Sequence, residues 1–156
     1  MICPCGSNNK YSECCEPIHL KKVEAQTPEQ LMRSRYSAYA LNKADYIYQT
    51  YAKSSQKEQS IEEIKAWAEE TNWLNLNVKS SSEYKNTTHP TVTFEAIYKN
   101  NNIFYKMKET SRFIKEIKVW RYIDGNHLYF EELNIPKRND ECICLSGKKY
   151  KKCCAV

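Results

Sequence analysis

Cys142-Ile143-Cys144-Leu145-Ser146-Gly147-Lys148-Lys149-Tyr150-Lys151-Lys152-Cys153-Cys154 closes the chain on a Cys-x-Cys pair, an eight-residue gap and a Cys-Cys pair. The same spacing opens it, as Cys3-Pro4-Cys5 and then Cys14-Cys15. All eight cysteines fall in these two copies. A segment this short has no core of its own, so something must staple its four sulfurs. Zinc and disulfides are the two candidates. Tetrahedral zinc takes four thiolates at about 2.3 Å and closes the site. Disulfides need an oxidising compartment. Met1-Ile2-Cys3 leaves no room for a charged n-region and an apolar h-region, and no apolar run nears the roughly 20 residues that cross a bilayer. The expectation is a cytoplasmic protein with reduced thiols. Two structural zinc sites follow, one at Cys3, Cys5, Cys14 and Cys15, the other at Cys142, Cys144, Cys153 and Cys154. A disulfide framework and an iron–sulfur cluster are the alternatives. Adjacent cysteines in a strand point oppositely, so both can ligate only where the backbone turns or begins a helix.

The residues between the sulfurs differ. Gly6, Asn8 and Asn9 in the first copy, and Gly147 in the second, suit the positive φ that a tight loop round a metal demands. Tyr11 and Tyr150 fall at the same place in each copy and are expected to lie over the site as a small apolar lid. His19 could replace a thiolate but reads better as an exposed residue after a turn. A zinc with four thiolates is doubly negative. Lys148, Lys149, Lys151 and Lys152 offset that charge, or present an electropositive contact to a partner.

Between the copies the chain is long enough for one modest domain. Three glycines and five prolines in 156 residues leave no low-complexity linker. The net charge of +5 is short of a dedicated nucleic-acid binder. Thr27-Pro28-Glu29-Gln30 starts a helix, with Thr as N-cap and Pro at N1. It is expected to run to about Ala52 and to bury Met32, Tyr36, Tyr39, Ala40, Tyr46, Ile47 and Tyr51. Ser60-Ile61-Glu62-Glu63 starts a second, burying Ile64, Trp67 and Ala68. The period then changes to two. Leu74, Leu76 and Val78 alternate with polar residues, and so do Val92, Phe94, Ala96 and Tyr98. Asn100-Asn101-Asn102 predicts a hairpin into a strand over 103–110. A further strand is expected over 115–123, with a turn at Asp124-Gly125 and a return over 128–133. Helices followed by antiparallel strands make an α+β domain.

The two cysteine copies resemble the SEC-C motif, the zinc knuckle also found at the end of a protein-translocase ATPase. Ile143 and Leu145 depart from it, where the motif usually has Pro and Gly. The stretches Leu31-Met32-Arg33-Ser34-Arg35-Tyr36-Ser37-Ala38-Tyr39, Asn72-Trp73-Leu74 and Trp120-Arg121-Tyr122-Ile123-Asp124-Gly125 are similar to the YchJ-like family. That resemblance implies a nuclear-transport-factor-2-like cone, with helices on a curved antiparallel sheet, flanked by two zinc knuckles. The implied boundaries are 1–20, 27–135 and 137–156. The likeness implies a fold and a metal rather than an activity.

Two functions follow as expectations. In the first, the protein is a zinc-bearing interaction module that contacts an acidic protein, the ribosome or nucleic acid through its lysines. In the second, it binds or turns over a small molecule in a central pocket. The pocket would be lined by Arg35, Tyr36, Tyr39, Trp67, Tyr98 and Trp120, with Glu109 pairing to Arg35. Arg33 and Arg35 diverge by about 160° on a helix, so only one faces inward, and Arg35 flanks the apolar stripe. His89, before Pro90, reads as a loop residue. No Gly-rich phosphate loop, Ser/His/Asp set or His-x-Glu site is present, so the residues favour a binding module over an enzyme.

Overall fold

A computed structural model describes residues 1–82 and 89–156. Five helices come first: α1 (Glu16–His19), α2 (Pro28–Ala40), α3 (Ala44–Gln49), α4 (Lys53–Gln56) and α5 (Ile61–Glu70). Four strands follow: β1 (Thr71–Ser81), β2 (Thr91–Asn100), β3 (Ile103–Glu116) and β4 (Val119–Leu133). They form one antiparallel meander in the order β1-β2-β3-β4. The α+β class is the expected one.

Thr27 caps α2 by accepting from the Gln30 N–H at 3.1 Å, and Ser60 caps α5 by accepting from the Glu63 N–H at 3.3 Å. The single long helix expected to Ala52 is instead two, α2 and α3. Asn42 takes φ +56, the Asn42 N–H donates to Tyr39 O, and the Lys43 N–H donates to Ala38 O at 2.8 Å. This pair of reversed bonds ends α2, and asparagine tolerates the left-handed residue it needs.

The sheet also departs from expectation after Thr110. β3 continues to Glu116, the turn falls at Ile117-Lys118 (φ +47 and +66), and β4 runs straight through Asp124-Gly125. Strand pairing over the whole length overrides the poor turn propensity of Ile117, which is 89% exposed. Gly125 has another purpose: a Cβ there would fall on the Glu109 carboxylate. The Asn101-Asn102 hairpin is as expected, with both residues at positive φ (+49 and +63), as a two-residue turn requires.

Leu31, Met32 and Tyr36 of α2 pack on Leu76, Val92, Phe94, Ala96, Met107 and Phe113 of the sheet. A second cluster, including Ile18, Ala38, Tyr46, Ile47 and Ile64, joins the helices to one another. A bulge between Trp73 and Asn75 reverses the alternation in β1. Trp73, Leu76 and Val78 therefore share the core face, and Leu74 is absent from it. After α3 the chain adds a short rung to the outer edge of β4: the Tyr122 N–H donates to Thr50 O and the Ala52 N–H to Tyr122 O.

Candidate metal centres and the central cavity

Each knuckle begins as a small reversed loop. The Cys3 N–H donates to Asn9 O, and the Cys142 N–H to Lys148 O, both at 2.8 Å. A 3-10 turn follows, Tyr11–Glu13 in one copy and Tyr150–Lys152 in the other. Cys14 and Cys153, just after these turns, have φ/ψ of −126/−96 and −137/−106. The backbone thus swings between neighbouring cysteines, which brings both sulfurs to one side. In each quartet all four Sγ atoms lie within 4.8 Å of one another. Cys5 and Cys14 are 3.6 Å apart, Cys14 and Cys15 3.9 Å, and Cys144 and Cys153 3.5 Å. A tetrahedron with bonds of about 2.3 Å has edges of about 3.8 Å, so the donor sets fit one four-coordinate metal each. The eight thiols are free, with no disulfide among the described residues.

Electrostatics within the quartets show how they would take up a cation. The Cys15 thiol donates to Cys5, and with the Ser7 contacts this outweighs burial and pulls Cys5 down to about 4. Cys15 is pushed up because it donates to Cys5 and is buried. In the second quartet burial raises Cys142, but the backbone N–H groups of Cys144 and Cys154 prevail and bring it to about 7. Burial first, then donation to Cys142, raises Cys154. Each quartet thus has one cysteine that gives up its proton most readily, and a metal would displace the remaining protons.

Glycine changes place between the copies. Gly6 (φ +80) and Asn8 (φ +65) correspond to Leu145 (φ +64) and Gly147 (φ +82). Leu145 therefore keeps the left-handed turn despite its side chain. At Gly6 the reason for glycine is space as well, since a Cβ would meet Leu76 O at 3.1 Å. At Gly147 nothing lies within 4 Å of such a Cβ.

His19 is no exposed bystander. It is half-buried between Tyr11 Oη (2.7 Å to Nδ1) and Ser34 O (2.7 Å to Nε2), and burial lowers its pKa. It ties the first knuckle to α2 without joining the sulfurs. Tyr11 is correspondingly buried, whereas Tyr150 packs its ring on Phe104, 6.3 Å between centroids. Lys148, Lys149 and Lys152 are exposed and Lys151 half-buried. None of the four pairs with a carboxylate among the described residues.

A cavity of about 320 Å³ lies between α2 and the sheet. Arg35, Tyr36, Tyr39, Trp67 and Glu109 line it as expected. Trp120 does not: it is packed in the core, where its Nε1 donates to Gln26 O at 3.2 Å. Tyr98 belongs to the same core. Trp67, expected to be buried, is 39% exposed on the cavity wall. Arg35 faces inward at 5% exposure, and Arg33 turns instead to Glu29 and to Cys5 O. Arg35 and Glu109 form no ion pair. Arg35 lies between the Tyr51 and Tyr122 rings, 4.5 and 4.2 Å from their centroids, and Nη1 donates to Ile47 O and Thr50 Oγ1. Glu109 pairs with His127 Nε2 at 2.7 Å and accepts from Ser111 Oγ and from Tyr122 Oη at 3.2 Å. Burial, then the Glu109 charge, pushes the Tyr122 phenol up, so it stays a donor. Sequence reasoning missed Trp73 because of the β1 bulge. It missed His127 because a register shift after Lys108 skips Leu128 and sets His127 opposite Glu109.

A cavity-bearing helix-on-meander domain with a four-cysteine knuckle at each end defines the class: a nuclear-transport-factor-2-like domain between two SEC-C motifs. Residues 27–125 match the family described as "YchJ, middle NTF2-like domain", and residues 2–17 and 138–155 match the SEC-C motif. The chain belongs to the YchJ family. UPF0225 proteins from Vibrio parahaemolyticus and Vibrio vulnificus are 40% and 43% identical to it, each over 97% of both chains. The solution structure of a SEC-C motif containing protein from Rhodopseudomonas palustris superposes with a TM-score of 0.76 at 35% identity, covering 83% of this chain and 100% of that one. The crystal structure of a SEC-C motif containing protein from Psychrobacter arcticus gives 0.72 at 30% identity, covering 99% and 96%. Among the described residues no helix is long and apolar enough to cross a membrane.

Proposed function

We infer that both quartets hold zinc and that the C-terminal knuckle docks an acidic protein. The observation that carries this is the cluster of four lysines within the second knuckle, none of them paired with a carboxylate among the described residues. Zinc would add no catalytic step here, because four thiolates leave it no open position; it would fix the loop that displays the lysines. Leu145, 65% exposed among those lysines, suits a protein surface. Stacking on bases would need an aromatic platform, and Tyr150 is instead occupied with Phe104. Ribosomal RNA and free nucleic acid are therefore the lesser partners.

Elemental analysis should find two zinc ions per chain, and well under one per quartet in reduced, chelator-free protein would overturn the metal assignment. Binding of a fluorescent Glu/Asp-rich peptide containing leucines should weaken about tenfold or more when Lys148, Lys149, Lys151 and Lys152 are changed to Gln. Unchanged affinity, or tighter binding of a single-stranded oligonucleotide than of the peptide, would overturn the docking assignment.

A further inference from the structure

The central cavity holds chemistry that the knuckles do not use. Met32, Tyr36, Tyr39, Phe94 and Met107 give it walls suited to a flat apolar body. Trp67 and Phe130, 39% and 55% exposed, stand where a ligand would enter. Two residues on the wall have unspent donors. Arg35 commits only Nη1; its Nη2 and Nε make no hydrogen bond among the described residues. Trp73 Nε1 is buried without a partner among the described residues. Leaving such an N–H buried and unpaired is unfavourable, and a bound acceptor would remove that penalty.

Glu109 makes no ion pair with Arg35. Its Oε1 is taken by His127, and its Oε2 by Ser111 and Tyr122. The cavity therefore offers one buried guanidinium with spare donors beside a carboxylate that is already satisfied. A guanidinium fork matches a planar carboxylate.

We propose that this cavity binds a small flat organic carboxylate, its ring among the aromatics, its carboxylate on Arg35 and a second acceptor on Trp73 Nε1. The probe is coumarin-3-carboxylate, with the neutral coumarin-3-carboxamide as its control. Both are titrated into the full-length protein labelled with ¹⁵N, following the backbone amides and the three tryptophan indole signals, with W73F assigning one of the latter. The Trp73 indole signal should move and saturate, the acid should bind about tenfold more tightly than the amide, and R35M should abolish that preference. If R35M does not fold, the acid–amide comparison on the unaltered protein still decides. No saturable movement at millimolar probe, equal affinities for acid and amide, or shifts confined to the Leu128–Phe130 edge would overturn the assignment.

Discussion

The two knuckles share one spacing and one backbone path, yet they are tied to the domain differently. In the first, Cys3 and Cys15 each place Sγ 3.4 Å from Ser37 Oγ, Arg33 Nη1 donates to Cys5 O at 2.6 Å, and His19 joins Tyr11 to α2. In the second, the Tyr150 ring contacts Phe104, and Lys148, Lys149 and Lys152 face solvent. The same metal-sized cage thus serves once as part of the core and once as a displayed surface.

Cysteine replacement should separate the two most sharply. C5S should lose one metal and lower the melting temperature by about 10 °C, because a buried polar and packing network on α2 goes with it. C144S should lose one metal but shift the melt by only a few degrees. Circular dichroism melts with metal analysis check this, and equal shifts would break the comparison.

Acid should release the metals in order. In the metal-free fold, Cys5 is lowered from 9.0 to about 4 and Cys142 to about 7. A thiol whose folded pKa is depressed stabilises the fold above its unfolded pKa, and that contribution disappears as pH falls through the folded value. The second knuckle should therefore give up its metal at higher pH than the first, read with a chromogenic chelator on C5S and C144S separately. Simultaneous release would show that the hydrogen bonds to Cys5 and Cys142 do not distinguish the cages.

The glycine exchange gives the smallest effects. G6A should destabilise the protein by about 1–2 kcal/mol in urea unfolding, since it adds left-handed strain and presses on Leu76 O. L145G should do the opposite locally, slowing metal loss from the second knuckle by about twofold to fivefold, because a leucine no longer holds φ +64. An unchanged or higher urea midpoint in G6A would contradict the close approach to β1.

The quartets were legible because spacing and residue type alone identify a closed cage, and the caps at Thr27 and Ser60 because a side chain within three residues makes the bond. The rest depended on distant partners. Asn42 ends α2 only through a backbone motif that one asparagine does not announce. Gly125 looks like a turn residue until Glu109 is seen to need its missing Cβ. The bulge in β1 moved Trp73 inward and Leu74 out, and no alternation rule signals where a bulge falls. Arg35 was correctly placed by helix geometry, but its partners are a carbonyl, a hydroxyl and two tyrosine rings rather than the expected carboxylate.

The rung that Thr50 and Ala52 add against Tyr122 gives the outermost strand two unlike halves. Where the rung sits, main-chain donors and acceptors are already used, so another polypeptide cannot zip onto that border. Beyond it, from Asn126 to Leu133, the border has no neighbour among the described residues, and Glu131 and Glu132 supply the like-charge repulsion that discourages strand-to-strand aggregation.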